Sequence, residues 1–369
     1  MQGWLERVAT LTLAALCPAV WAEEEPKLET VLWDKSVSLR GGIGYKDNVL
    51  LSSTQEDGSA FWLSALDLTL LRLSLDQGPN VTFFLSGEDR RYFSAEEINK
   101  EQLLITQLSV EQPFLDDWTA GAALQYMYAD QVYDASATEQ ILTTMPVISH
   151  NIQLAPGIKR NLGWNSALEL RFTAERQFFN EPLDDYWEFG PQLIYTKRYG
   201  HRSEATLSYT FDQRSYDTRR DLDLNFEEVP DTSLEFTQHE FEVGANHSWD
   251  EKRHWRSRAR FLFEINDDGG TGFYDYYRYR LSKRFGYYAD TWEATVEGKI
   301  LHYDYRIQPV FEGTEVRSTW EYVVAAHARK TVWKTLGVFA DVEHEISESN
   351  SPLEEYTVTT IIGGVDWEF

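Results

Sequence analysis

The sequence has almost no cysteine. Its one cysteine among 369 residues, Cys17, lies at the end of an early apolar run. Arg7 precedes that run, and the tripeptide 20–22 places Val and Ala three and one residues before a potential cut. These features predict an export signal at 1–22, cleaved after Ala22; the alternative is a short N-terminal helix. The mature chain would then have neither disulfides nor thiolate chemistry.

Long apolar runs and net positive charge are also missing. After residue 22 no apolar run approaches the roughly 18 to 20 residues that a membrane helix needs. Lys and Arg number 34 against 60 Asp and Glu, for a formal charge of −26. Such a chain has no net positive field to neutralise phosphates, so we expect no nucleic-acid partner. Two classes remain, a secreted soluble protein and a β-barrel of an outer membrane.

The chain lacks recognisable catalytic and cofactor motifs. Its eight histidines are scattered, and none forms a His-x-x-x-His pair. The glycine-rich segment 266–272 lacks the lysine of a phosphate loop and is typical of a turn. We therefore expect no enzyme activity, no cofactor and no resident metal; a lipid-modifying enzyme stays as a third hypothesis.

One acidic segment hints at calcium, because Asp221, Asp223 and Asn225 stand at alternate positions. The EF-hand loop needs Gly at its sixth position and Glu at its twelfth, where this chain has Phe226 and Thr232. We expect no helix-loop-helix calcium site here. A looser divalent contact that bridges to anionic lipid stays open.

What the chain has in abundance is aromatic residues, 14% of the total, and alternation with a period of two. In 118–128, Trp, Ala, Leu and Tyr occupy the even positions, and mostly small or polar residues occupy the odd ones. The segments 202–217 and 254–267 show the same period. Such alternation is typical of strands that have one apolar and one polar face.

About sixteen segments of this kind follow one another, each roughly 10 to 16 residues long, whereas globular strands average about 5 to 6. Short connections alternate with longer polar ones, as in bacterial outer-membrane barrels. The sequence predicts an all-β fold, a transmembrane antiparallel up-and-down β-barrel of about 16 strands at 36–369, after a short periplasmic segment at 23–35. The short turns should face the periplasm. The segments are 36–46, 60–75, 80–93, 101–112, 118–133, 146–160, 164–179, 186–199, 202–217, 234–249, 254–267, 272–286, 291–308, 315–331, 335–348 and 354–369.

Alternation alone also fits a soluble sandwich or barrel, in which the apolar face points inward instead of toward lipid. Strand length, the export signal and the aromatic strand ends favour the membrane. Tryptophans lie mostly beside the short turns, as expected of a girdle at the periplasmic boundary. They are Trp118, Trp164, Trp187, Trp249, Trp255, Trp292 and Trp333.

The last segment carries an alternating apolar stripe, Ile361, Val365, Trp367 and Phe369. An even strand number places the last strand beside the first, so we expect this stripe to face lipid, with Phe369 at the periplasmic edge. The stripe resembles the C-terminal signature of bacterial outer-membrane proteins. The resemblance implies that these four residues are recognised by the barrel-insertion machinery of a Gram-negative-type outer membrane.

A second resemblance lies in the first predicted hairpin, at Tyr45-Lys46-Asp47-Asn48. The tetrapeptide is similar to a Tyr-x-Asp-Asn pattern in the family of β-barrel porins encoded beside exopolysaccharide genes. The resemblance covers one hairpin and implies an outer-membrane barrel with a role in the envelope or with polysaccharide. It carries no catalytic residue.

Charged residues recur on the polar faces of four consecutive segments. We expect them to line the lumen, with acidic rows opposing a basic stripe across it, and to set ion or sugar selectivity. The alternative is that the rows pair across neighbouring strands and only satisfy one another. The basic residues are Arg256, Arg258, Arg260, Arg278, Arg280 and Arg284, and the acidic ones are Glu240, Glu242, Glu293 and Glu297.

The leading hypothesis for function is a porin-like channel for small hydrophilic solutes or oligosaccharides, without a cofactor. Sixteen strands enclose a lumen wide enough for water unless a loop folds in. The alternative is a non-transporting envelope barrel that supports exopolysaccharide export or surface assembly. The expected partners are outer-membrane lipid, the barrel-insertion machinery, and polysaccharide or small solutes.

Overall fold

The computed structural model describes residues 31–54, 56–75, 78–95, 98–134, 144–200, 202–310, 313–351 and 354–369. In these ranges no helix is long and apolar enough to cross a membrane. The described residues form sixteen β-strands: β1 (Val31–Lys46), β2 (Ser59–Ser74), β3 (Asn80–Tyr92), β4 (Lys100–Leu115), β5 (Trp118–Asp134), β6 (Thr144–Gly163), β7 (Ser166–Phe179), β8 (Tyr186–Tyr199), β9 (Ser203–Tyr216), β10 (Glu235–Ser248), β11 (Trp255–Asp267), β12 (Tyr276–Tyr288), β13 (Trp292–Pro309), β14 (Val316–Trp333), β15 (Leu336–Ser349) and β16 (Tyr356–Glu368).

The strands close into a ring, because each pairs antiparallel with its sequence neighbours and β16 pairs with β1. Closure leaves no free sheet edge, so the backbone amides and carbonyls of the ring find partners without water. This order is that of an up-and-down barrel. The predicted fold class is confirmed.

The seam between β1 and β16 requires glycine. Gly42 lies directly opposite Gly364 in the register. A Cβ atom on Gly364 would lie 2.3 Å from the carbonyl oxygen of Gly41, and one on Gly42 would lie 2.8 Å from that of Gly363. Both distances are too short for non-bonded atoms, so larger residues would push the first and last strands apart.

The alternating residues of each strand lie on the outer and the inner face of the barrel in turn. In β12, Leu281 and Phe285 are exposed on the outer face. Arg280 and Arg284 alternate with them and face Glu242 and Glu297 inside the ring. Apolar side chains outside and charged ones inside match a barrel whose outer surface contacts hydrocarbon.

The two ends of the barrel differ. At the end where β1 begins and β16 ends, which we call the turn rim, connections are short, as at 116–117 and 334–335. Connections at the other end, the loop rim, include the long segment 217–234. Of the seven tryptophans, only Trp187 departs from the predicted girdle, because β8 starts at the loop rim and places it there.

The inner face is not polar along its whole length. Near the loop rim, the inward side chains of Phe61 and Leu63 are buried in one cluster with Val49, from the connection between β1 and β2. A second buried cluster joins strand aromatics such as Tyr216 to residues of 217–234 and 268–275. These connections fold inward and narrow the loop-side half of the lumen.

All sixteen predicted segments overlap the observed strands. The barrel begins earlier than predicted, because β1 starts at Val31 and not at 36. It is longer because 31–35 pair with 70–74 of β2, although β16 reaches only as far as Ser38. The predicted export signal at 1–22 lies outside the described residues, as does 23–30.

The charged lumen wall as candidate functional site

The ten charged residues singled out in the sequence lie on the inner face of four neighbouring strands. Strand pairing brings β10, β11, β12 and β13 side by side. Their outer faces carry Val243, Phe261, Leu281 and Val296, all exposed. The charged residues alternate with these apolar ones and therefore point into the ring.

Arg278 is at the centre of the loop-side half of this wall. Its guanidinium forms an ion pair with the buried carboxylate of Glu264 and lies 3.7 Å from an oxygen of Glu240. The hydroxyl of Tyr276 donates a 2.9 Å hydrogen bond to Glu264. Glu240 and Glu264 are directly opposite each other on β10 and β11, so Arg278 offsets a repulsion between like charges.

Glu242 is the acidic partner in the middle of the wall. Its two carboxylate oxygens lie 3.9 Å from the guanidinium nitrogens of Arg260 and Arg280. Nearer the turn rim, Arg284 donates a 2.7 Å hydrogen bond to Glu297. Pairing across neighbouring strands, the alternative considered for these rows, thus accounts for Arg260, Arg278 and Arg284. Arg280 on β12 reaches past β11 to Glu242 on β10.

Arg256 and Arg258 are different. Both are exposed, and neither forms an ion pair with another described residue. Arg256 donates to the carbonyl oxygen of Arg253 at 2.8 Å and lies over the ring of Tyr288. Arg258 lies opposite another cation, Arg284, in the register. These two arginines give the turn-side half of the wall a positive charge that no described carboxylate cancels.

The four glutamates named in the sequence analysis do not lie across the lumen from the arginines. Glu240 and Glu242 lie on β10, and Glu293 and Glu297 on β13, so they flank the arginines of β11 and β12. In a ring of sixteen strands, the wall opposite β11 and β12 is formed by β3 and β4. Glu293 lies beside Arg329 of β14 in the register.

The sequence analysis missed an acidic belt on the inner face of β7 to β11. Glu175 and Glu188 lie directly opposite each other, as Glu240 and Glu264 do, and Asp212 lies on β9 between the two pairs. Arg214 forms a 2.7 Å ion pair with Glu188. The belt therefore holds five carboxylates. Two guanidinium groups contact them, that of Arg214 on β9 and that of Arg278 on β12.

Part of this belt lines a recess of about 260 Å³ in the lumen wall. Glu188, Asp212, Glu240 and Glu264 line it together with both arginines of the belt and with Tyr186, Tyr276 and Tyr303. The sequence did show Glu175 on a polar face. Only the register of β7 with β8 and of β10 with β11 shows that separate polar faces meet in one belt.

The residues of the Tyr-x-Asp-Asn pattern fasten the β1–β2 connection. Asp47 accepts a 2.6 Å hydrogen bond from the amide of Thr359 on β16. The buried side chain of Asn48 donates to the carbonyl oxygens of Ser52 and Thr357, at 2.9 and 3.2 Å. The preceding Lys46 forms a buried ion pair with Glu101 at 3.1 Å. These contacts hold Val49 inside the ring.

The apolar stripe of β16 lies on the outer surface and ends at the turn rim. Ile361, Val365 and Trp367 are exposed, as is Phe369, whose ring stacks on Trp367 with centroids 4.9 Å apart. The backbone amide of Phe369 donates a 2.9 Å hydrogen bond to the carbonyl oxygen of Val37, which extends the seam. The role of these residues in barrel insertion stays a prediction.

The residues of the suspected calcium loop do not converge. Asp223 is half-buried and accepts hydrogen bonds from the backbone amides of Asn225 and Glu227, at 2.8 and 3.0 Å. These bonds lower the pKa of Asp223. Asp221 points away from them and is buried at 5% exposure. That this segment forms no EF-hand site stays an expectation.

No protein-family model matches the chain, and no curated protein matches it. Among solved structures, Pseudomonas aeruginosa OccK9 (OpdG) is 8% identical, with a TM-score of 0.49 over 91% of this chain and 99% of that one. Acinetobacter baumannii OccAB3 is 9% identical, with a TM-score of 0.47 over 91% and 99%. An anion-selective porin from Comamonas acidovorans is 9% identical, with a TM-score of 0.46 over 92% and 100%.

Proposed function

We propose that the chain is a passive, water-filled channel of an outer membrane that passes small hydrophilic solutes. The observation that carries this proposal is that Arg256 and Arg258 point into a closed ring and are exposed. A charged group inside a ring of strands is exposed only where the ring holds water. The apolar outer surface supplies the contact with hydrocarbon.

Selectivity would come from two bands of opposite charge, arranged in series along the same part of the wall. The acidic belt lies toward the loop rim and the free arginines lie toward the turn rim. Charges that line a narrow, water-filled passage change the local concentration of ions of each sign. We therefore assign selectivity to Arg256 and Arg258 and to the acidic belt; the paired arginines mainly stabilise the wall.

One observation favours the alternative, a non-transporting envelope barrel that supports exopolysaccharide export or surface assembly. The inward connections at the loop rim bury Val49 and Phe61 completely, at 0% exposure each. Packing of this kind narrows the mouth of the lumen. The similarity of Tyr45-Lys46-Asp47-Asn48 to the exopolysaccharide-associated porins points in the same direction.

Liposome swelling distinguishes the two functions. Vesicles that contain the folded barrel are diluted into isotonic solutions of a pentose, a disaccharide or a tetrasaccharide, and empty vesicles serve as the control. The channel hypothesis expects fast swelling in the pentose and progressively slower swelling in the larger sugars. No swelling in any sugar would favour the envelope role.

A further inference from the structure

Three aspartates meet at the loop rim, outside the lumen wall described above, and a fourth lies beside them in a second connection. Asp267 ends β11, and Asp268 and Asp275 lie in the following connection, 268–275. Carboxylate oxygens of these three residues all lie within 4.8 Å of one another. Asp221, from the connection 217–234, lies against Gly270 of the connection 268–275. Like-charged groups this close destabilise each other unless a cation lies among them.

The backbone fixes these carboxylates in place. Asp268 accepts three hydrogen bonds, from the amides of Gly270 and Gly272 at one oxygen and of Tyr274 at the other, at 3.0, 2.8 and 3.0 Å. Asp275 accepts from the amide of Asp268 at 2.9 Å. A carboxylate has about four lone-pair positions, so each of these groups keeps room for a metal ion. Hydrogen bonds of this kind orient ligands around metal sites.

Asp221 independently points to a cation at this place. Its carboxylate is 5% exposed, and its Oδ1 atom has no hydrogen-bond partner among the described residues. It lies against Gly270, where a Cβ atom would be 2.4 Å from Oδ2. Gly270 also donates its amide to Asp268, so the two carboxylates meet at one glycine. Burial, with Asp268 and Glu235 nearby, raises the pKa of Asp221.

The described cations do not balance this charge. Arg306 lies 3.1 Å from Asp275, on the side of the cluster formed by β13. Arg219 donates to the hydroxyl of Tyr274 at 2.7 Å and lies over its ring. Arg306 contacts only Asp275 among the four carboxylates, and no described cation forms an ion pair with Asp221.

We propose that Asp221, Asp267, Asp268 and Asp275 bind one Ca²⁺ ion that joins the connections 217–234 and 268–275. Carboxylate oxygens are the ligands that this hard cation prefers, and its flexible coordination by 6 to 8 oxygens, about 2.3 to 2.6 Å away, suits an irregular site between two loops. Mg²⁺ fits less well, because it demands near-ideal octahedral geometry and keeps several waters. The site does not depend on whether the lumen conducts.

Calcium titration of the folded barrel in detergent, after removal of metals with EDTA, tests the proposal by calorimetry. We expect one Ca²⁺ per chain, with a dissociation constant on the order of 10⁻⁴ to 10⁻³ M, and no displacement by equimolar Mg²⁺. Asp221→Asn should weaken binding at least about tenfold, as loss of one charged ligand predicts. Asp223→Asn, the same change in a half-buried residue of the same connection, is the matched control and should bind as the wild type does.

Limited proteolysis within 217–234 gives a second measurement. Calcium should slow cleavage of the wild type and of Asp223→Asn but not of Asp221→Asn. If Asp221→Asn does not fold, Asp267→Asn, an exposed member of the cluster, replaces it with the same expectation. No calcium binding by the wild type at 10 mM (about ten times the weakest affinity expected) would overturn the proposal. Equal binding by the wild type and the cluster variant would overturn it too.

Discussion

Glu240 and Glu264 lie directly opposite each other on β10 and β11, and Arg278 is the cation that both of them contact. Removing Arg278 would leave two facing carboxylates, one of them almost fully buried. We expect Arg278→Gln to lower the free energy of unfolding in urea by about 3 kcal/mol, the cost of leaving one partner of a buried pair uncompensated.

A double-mutant cycle separates this pairing from general damage to the wall. Glu264→Gln removes one of the two facing charges, so the variant Arg278→Gln/Glu264→Gln should recover a large part of the lost stability. Additive losses in the double variant would show that Arg278 does not act by offsetting these carboxylates.

Arg256 and Arg258 should control ion selectivity without stabilising the barrel. We expect Arg256→Ser/Arg258→Ser to fold normally, because no ion pair with a described residue is lost, and to shift the reversal potential in a KCl gradient toward K⁺. The matched control is Lys283→Ser/Lys330→Ser, which removes the same charge from the outer faces of β12 and β14. Selectivity that changes equally in both variants would remove the role assigned to the two arginines.

Asn48 should hold the β1–β2 connection inside the mouth of the lumen. Asn48→Ala removes hydrogen bonds to Ser52 and Thr357 from a side chain that is 1% exposed. We expect a loss of about 1 to 3 kcal/mol in local stability, faster proteolysis of the connection and a larger single-channel conductance. Ser53→Ala, at an exposed position in the same connection, is the control, and an unchanged conductance in Asn48→Ala would show that the connection does not narrow the lumen.

Phe369 is expected to act in assembly more than in stability. Phe369→Ala keeps the backbone hydrogen bonds to Val37, so the assembled barrel should unfold at nearly the same urea concentration. Its yield in the outer membrane should fall, because the resemblance of the last strand implies recognition by the insertion machinery. Trp33→Ala, which removes another exposed ring at the same rim, should assemble normally; equal yields would contradict the assignment.

The barrel was predictable from the sequence because the pattern that specifies its strands is local to each strand. Alternation in segments such as 118–128 depends only on side chains that neighbour each other along one strand. The inward position of Arg256, Arg258 and Arg260 follows from the same rule, since Phe261 and Phe263 must face lipid. Strand number and face could therefore be read without knowing which residues meet across strands.

The acidic belt and the narrowed mouth were not predictable in the same way. Glu175 faces Glu188 only because of the register of β7 with β8, which depends on turn geometry. Buried inward residues such as Phe61 and Leu63 break the expected polar face because Val49 covers them. The run of three apolar residues at 49–51, inside an otherwise polar connection, was the signal that this segment packs against something.

Single-channel recording in planar lipid bilayers tests the central claim most directly, that the lumen holds a continuous path of water. Purified, folded barrel is added to one side of the bilayer in 1 M KCl, and the heat-unfolded protein serves as the control. The account predicts discrete conductance steps that increase linearly with salt concentration and are absent with the unfolded protein. Insertion of folded barrel without any conductance step would contradict it.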